Sequence, residues 1–372
     1  MKKDRESNFE LMRIVSMVFI VLWHIISKGT IIEDSGNIAI ATVFKMLKYV
    51  LIIHVNSFVI VMGYFQYGSR FKLSKLFSLI FEVLFYSITI FIILYKFGYI
   101  SDVNLTTKIN VFIPFSSVDY WFISSYLIVY LLSDYINILL KNLNHNQLKK
   151  LIITCFMIFS VVPFVTGMRL IQNNGYNFFH FIFLYIIGAY LRQYPLKENY
   201  IFNKMNIKLY RLIMIIGFFM CSSYSYFLFT FAVNNLHIGN LFNHISSILL
   251  MSQDSYASPI VIIQTVCYFE FFRTLKIKSN VINFISSCVF GIYLFHENTY
   301  LRAVMYKLFE FGNEVIYGRK IYLQILVCLI IIFVVGMLIE IIRKLLVKTI
   351  VSTKMYKKLK IKFYNYIESF NE

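Results

Sequence analysis

The chain alternates between long apolar runs and short polar breaks, and the runs have the length of membrane helices rather than of strands. A helix rises about 1.5 Å per residue, so roughly 20 apolar residues cross a hydrocarbon core about 30 Å thick. Ten such windows can be drawn, at residues 11–28, 46–66, 76–97, 120–140, 151–166, 177–191, 212–232, 257–272, 281–301 and 321–342. The fifth and sixth are short for a spanning helix, so eight spans with a re-entrant pair fit the same pattern. Either way the expectation is an all-α, polytopic membrane helix bundle of about ten transmembrane helices.

The polar breaks sort by charge, which supports the window count and sets an orientation. One side carries Arg70, Lys72 and Lys75; Lys141, Lys149 and Lys150; Arg192, Lys197, Lys204, Lys208 and Arg211 against Glu198; then Arg273, Lys276 and Lys278, and a basic tail. The other side carries Glu33 and Asp34 against Lys45, Asp102 and Asp119 against Lys108, a lone Arg169, a lone Asp254, and a mixed loop from Arg302 to Lys320. Cytoplasmic loops collect Lys and Arg, so both termini are expected in the cytoplasm of a multi-pass protein of the cell membrane.

Composition narrows this further. With 59% hydrophobic and 15% charged residues, the chain is too apolar for a soluble domain. Its net charge of +18 is mostly the inner-side bias, so anionic lipid accounts for it and no nucleic-acid partner is implied. All five cysteines fall in apolar windows without a CxxC, which indicates neither a disulfide framework nor a metal site. The first window is long and the small-residue pair Ala39 and Ala41 lies far beyond it, so it reads as a retained anchor rather than a cleaved signal. One membrane domain, 1–345, precedes a basic cytoplasmic tail, 346–372, which either lies on the membrane surface or is solvated.

Candidate chemistry lies where polar residues enter the apolar windows, because an ionisable group in hydrocarbon is costly unless it faces protein or a wet cavity. Arg13 and His24 share the first window. Eleven steps of about 100° return to within roughly 20° of the start, so both occupy one helix face about 16 Å apart. Arg13 alternatively snorkels to lipid phosphate. The ninth window ends in GIYLFHENTYLR, which brings His296, Glu297, Asn298 and Arg302 to the outer level of His24. His54 and Asn56 enter the second window, and Arg70, Lys72 and Lys75 follow it as inside charges that could also clamp phosphate. Glu82 lies within the third window and needs a partner, either Arg13 or a histidine; Glu270 pairs locally with Arg273, and Glu340 with Arg343. Trp121 opens the fourth, as an interface anchor or a stacking face for a sugar ring.

Several segments together resemble a known family, the integral-membrane acyltransferase-3 proteins that O-acylate surface and exported carbohydrates. SNFELMRIVSMVFIVLWH resembles the family's first helix, in which an arginine, ten intervening residues and a histidine recur, here Arg13 and His24. DYWFISSYLIVYLLSDYIN looks like its fourth helix, and FLYIIGAYLRQY like its sixth. GIYLFHENTYLR is similar to the late "YLIH-Asp-Asn" segment, with Glu297 where aspartate is more usual, a swap that keeps the carboxylate on a longer arm. The resemblance covers residues 7–345 and implies transfer of an acyl group, most often acetyl, from cytoplasmic acetyl-CoA to a hydroxyl of a glycan or lipid-linked sugar. No tightly bound cofactor is implied. The extracellular hydrolase-like domain of some members has no counterpart here.

On that resemblance His24 is the expected base, or itself carries the acyl group, and Arg13 orients the donor from below. His296 with Glu297 orients the acceptor or stabilises charge, or forms a structural hydrogen-bond pair. Arg70, His54, Asn56, Glu82, Trp121, Asn298 and Arg302 are expected around the donor and acceptor. The rival reading is a transporter, flippase or polymerase of lipid-linked sugar repeats, although a polymerase usually has a large outer loop. A sensor or scaffold without chemistry is the third class. Apolar helix faces suit lipid and a second copy of the chain equally, so a homo-oligomer is compatible with the sequence.

Overall fold

The computed structural model describes residues 5–29, 38–101, 103–116, 120–167, 173–236, 238–253, 255–309 and 319–352. Glu33, Asp34, Asp102, Asp119, Arg169 and Asp254 lie outside the described residues, as does the tail from 353 to 372.

The regular structure among the described residues is helical throughout. It begins with α1, Ser7–Lys28. Next come α2, Ile38–Leu51, and α3, His54–Gln66, which form one crossing interrupted at Ile52 and Ile53. α4 covers Leu73–Lys96, and the short α5, Leu105–Phe112, starts where the Asn104 side chain accepts the Thr107 N–H. α6 is Trp121–Lys141. α7, His145–Phe156, opens with a capping box between Asn144 and Gln147, which satisfies two helix-terminal N–H groups. It continues through a π turn into α8, Val162–Thr166, and stops at Gly167, whose φ of 71° favours a residue without Cβ.

α9, Phe178–Gln193, and α10, Ile207–Asn235, are capped by Asn177 and Asn206. α11 covers Asn240–Gln253, where the sequence suggested only a loop. α12, Pro259–Arg273, has proline in its first turn, where the missing N–H costs nothing. α13, Asn280–Ser286, and α14, Val289–His296, divide the ninth window, which the sequence read as one continuous helix. α15, Thr299–Leu308, and α16, Arg319–Ser352, complete the order; α16 runs past residue 345, where the sequence placed the start of the tail.

The fold is thus an all-α membrane helix bundle. Seven helical stretches are long and apolar enough to cross a membrane: 7–28, 38–66, 73–96, 121–141, 145–166, 207–235 and 321–349. Two shorter apolar stretches, 178–193 and 280–296, accompany them. The fifth window begins six residues earlier than the apolar pattern alone suggests, and at 22 residues it has spanning length.

Helices in lipid gain little from hydrophobic burial against one another, so close packing and polar contacts hold them together. The tightest crossing joins α3 to α9. A Cβ added at Gly63 would lie 2.2 Å from the Tyr185 carbonyl oxygen, and one at Gly188 would lie 2.2 Å from that of Ile60. Two glycines facing each other's backbone therefore set this spacing. α1 sits centrally, packed against α2, α3, α12, α13, α14 and α16. The helix carrying Arg13 and His24 is consequently walled by protein along much of its length.

Candidate active site

His24 lies near the C-terminal end of α1, with its side chain 14% exposed. α14 brings His296 to it as its last residue, and Glu297 follows directly. The hydrogen bonds fix the histidine tautomers, because a carbonyl oxygen can only accept. His296 Nδ1 lies 2.8 Å from the Ile292 carbonyl, so Nδ1 carries the proton and Nε2 is left as an acceptor. His24 Nδ1 lies 3.1 Å from that Nε2 and donates to it, which leaves the lone pair of neutral His24 on its own Nε2. Glu297 Oε2 is 2.8 Å from the same His24 Nδ1 but off the N–H direction, so it offers charge rather than a directed bond.

Glu297 is almost fully buried, and its other oxygen is held by two cations. Arg302, one turn into α15, donates to Oε1 at 2.9 Å, and Lys28, one turn after His24, donates to the same atom. A buried carboxylate between two cations is favoured as the anion. Asn298 has a different task. Its Oδ1 accepts the N–H groups of Tyr300 and Leu301, capping α15, and its Nδ2 donates to the Tyr120 hydroxyl. The cap fixes the turn that aims Glu297 and Arg302 at each other.

His24, His296 and Glu297 present ligating atoms within 4.8 Å of one another, a spacing that one metal ion could bridge. An ion there would share Glu297 with Lys28 and Arg302, and that positive charge opposes it. The donor set suits proton transfer better than metal binding.

The second window contributes scaffolding. His54 Nδ1 donates to the Leu51 carbonyl at 2.7 Å and its Nε2 accepts the Tyr256 hydroxyl at 3.2 Å. Asn56 Nδ2 donates to the Tyr256 carbonyl, and its Oδ1 accepts from His180 Nε2 at 3.0 Å. Both side chains are buried with every polar atom engaged, tying α3 to α9 and to the turn before α12. Trp121 packs against Tyr176, Phe181 and Tyr256 beside that turn.

Arg13 occupies the opposite end of α1. Its Nη1 lies 3.2 Å from both oxygens of Glu10, and its guanidinium sits over the Phe65 ring. Lys75, at the start of α4, is within electrostatic reach of Arg13 and Lys72. Arg70 is exposed in the loop ahead of them, a loop pinned by Asp134 to the Phe71 N–H and by the Tyr130 hydroxyl to the Lys72 N–H. Cations from α1 and α4 therefore converge at one end of the bundle, and the two imidazoles meet at the other.

Glu82 finds a different partner from those the sequence suggested. It lies 3.0 Å from Arg343, which also binds both oxygens of Glu340. Tyr86 adds a hydrogen bond to Glu340 and Lys344 lies 3.4 Å from it, so this is an ion cluster between α4 and α16. Glu270 and Arg273 form the expected local pair, joined by Tyr210.

Sequence reasoning missed Glu10 and Lys28. Glu10 stands three residues before Arg13 and Lys28 four after His24, so helical spacing could have found both beside residues already singled out.

No curated protein and no solved structure matches this chain. A family model described as an acyltransferase domain, that of the acyltransferase-3 family, matches residues 6–342. That match takes in both end groups and the helix joining them, and the chain belongs to the acyltransferase-3 family.

Proposed function

We propose that this acyltransferase moves an acetyl group from cytoplasmic acetyl-CoA to a hydroxyl of a surface or exported polysaccharide, or of its lipid-linked precursor, in the cell membrane. Both termini then lie in the cytoplasm, and the inner cations Arg13, Arg70, Lys72 and Lys75 meet the donor's phosphates. The observation that carries this reading is the tautomer of His24: its Nδ1 proton is engaged by His296, so Nε2 is a bare lone pair on the helix that also holds Arg13.

A sugar hydroxyl is a weak nucleophile until its proton is removed. His24 Nε2 takes that proton as the hydroxyl oxygen attacks the thioester carbonyl. The new carbon–oxygen bond forms, the carbon–sulfur bond breaks, and the proton on Nε2 passes to the departing sulfur to give free CoA. While His24 is an imidazolium, Glu297 Oε2 beside its Nδ1 stabilises the charge. Lys28 and Arg302 keep the carboxylate in place.

The test is proton NMR of the O-acetyl content of the host's surface glycan. A deletion strain is complemented with wild type or with His24→Ala at matched membrane levels. Acetyl signals restored by wild type and not by His24→Ala support the proposal. Equal acetylation in all strains, with glycan amount or length altered, would move the assignment to a transporter or polymerase.

A further inference from the structure

The inner end of α1 carries a carboxylate that the reaction above does not use. Glu10 is buried, with its side chain 10% exposed, and it makes two kinds of contact. On one side it takes Arg13 through Nη1 alone. Arg13 is one-third exposed, and its Nε and Nη2 donate to no described residue. The guanidinium thus keeps an open edge whose two parallel N–H directions suit a phosphate. On the other side Glu10 Oε2 accepts the Ser286 hydroxyl at 2.5 Å.

Ser286 is the last residue of α13, directly before the break that starts α14. Lys344 holds the next residue from the α16 side, donating to the Ser287 carbonyl at 2.6 Å. Nearby, Asn8 reaches the Phe272 carbonyl, and the Ser7 hydroxyl accepts the Ser279 N–H. The foot of the broken helix is therefore bound to the first turns of α1, and the far end of the same helix delivers His296 and Glu297.

We propose that Glu10 is a positioning residue for the donor: it fixes the Arg13 guanidinium with its open edge toward a phosphate group, and through Ser286 it holds the foot of the helix that presents His296. A long arginine side chain left unheld samples many rotamers, and ordering it on binding weakens affinity. The anchor removes that loss in advance. This inference rests on the proposed use of acyl-CoA.

The experiment titrates CoA onto purified full-length protein in nanodiscs by calorimetry, alongside thermal melting and in-cell O-acetylation. Glu10→Gln is expected to weaken CoA binding about 10-fold, the size of one charge-assisted contact, with the melting temperature little changed. Glu10→Asp should recover most of the loss. In a double-mutant cycle, Glu10→Gln added to Arg13→Lys should cost little more than Arg13→Lys alone, because both remove one arrangement. Ser286→Ala should leave CoA binding intact and lower O-acetylation.

Wild-type CoA affinity in a folded Glu10→Gln protein overturns the proposal, as do losses that simply multiply in the cycle. If Glu10→Gln does not fold, wild-type O-acetylation in Ser286→Ala together with wild-type CoA affinity in Arg13→Lys overturns it. Failure of the wild type itself to bind CoA would remove the acyl-CoA reading and this inference together, a result distinct from a wild type that binds and variants that do not differ.

Discussion

His296 holds His24 in a single tautomer: the Ile292 carbonyl claims one nitrogen of His296, and the other accepts the His24 Nδ1 proton at 3.1 Å. A second imidazole stands where a carboxylate often orients a catalytic histidine, and Glu297 stands beside the pair rather than in line with it.

Replacing His296 with Phe keeps an aromatic ring in the space and removes the acceptor. His24 Nδ1 would then have only Glu297 Oε2, off its N–H direction, to hold the proton, and the tautomer would be set less firmly. We predict that O-acetyl transfer falls about 100-fold, within the range general-base catalysis supplies, while CoA affinity stays at the wild-type value. O-acetyl NMR and CoA calorimetry read the two quantities separately, and an equal loss in both would contradict the assignment.

Glu297→Gln leaves Lys28 and Arg302 facing a neutral amide inside the protein, and removes the charge beside His24. The expected result is loss of nearly all transfer, about 100-fold or more, with protein levels reduced because Lys28 and Arg302 lose their shared buried carboxylate. Glu297→Asp keeps the charge on an arm one methylene shorter and should retain more transfer than the amide. Immunoblotting against O-acetyl content separates stability from chemistry; an amide variant as active as the aspartate would contradict it.

Gly188→Ala would drive a methyl group against the Ile60 backbone oxygen, which has no rotamer by which to move away. A destabilisation of about 1–3 kcal/mol follows from overpacking of this kind. Differential scanning fluorimetry in detergent should show a lower melting temperature. Gly217→Ala is the control, since there the nearest atom is the Cys267 sulfur at 3.1 Å, on a side chain that can shift.

Arg343→Leu removes the guanidinium from Glu82 and Glu340 at once, leaving Glu340 only Lys344 at 3.4 Å. Breaking a buried pair from one side costs about 3–5 kcal/mol, because the remaining charge is left uncompensated. The variant should melt early or fail to accumulate, and Arg343→Lys should restore part of the loss. Because Arg343 touches neither Arg13 nor His24, the fraction that folds should bind CoA with wild-type affinity.

Spacing within a single helix was the legible part of the site. The shared face of Arg13 and His24 follows from eleven residues of helical rotation, and the local pairs at Glu270 and Glu340 follow from three. The contacts of Lys28 with Glu297 and of Arg343 with Glu82 join residues from opposite ends of the chain, and nothing local encodes them. The helix breaks were hidden for another reason. Ile52 and Ile53 separate α2 from α3, and Ser287 and Cys288 separate α13 from α14, without a proline or glycine to mark either. Side chains that capture backbone groups accompany both breaks: His54 at the Leu51 carbonyl in one, Lys344 at the Ser287 carbonyl in the other. The first capture is local and the second comes from a distant helix, and hydropathy scores neither, so it reads straight through both breaks.

The distance along α1 has a consequence for the shape of the donor. Arg13 and His24 are separated by about 16 Å of helix rise. On the proposed reading, a molecule whose charge rests on Arg13 must present its carbonyl about three helical turns away. An acyl phosphate holds charge and carbonyl only a bond or two apart and cannot serve both residues at once. The helix therefore acts as a ruler, selecting donors that carry the acyl group at the tip of a long flexible arm and rejecting compact ones whatever their chemical reactivity.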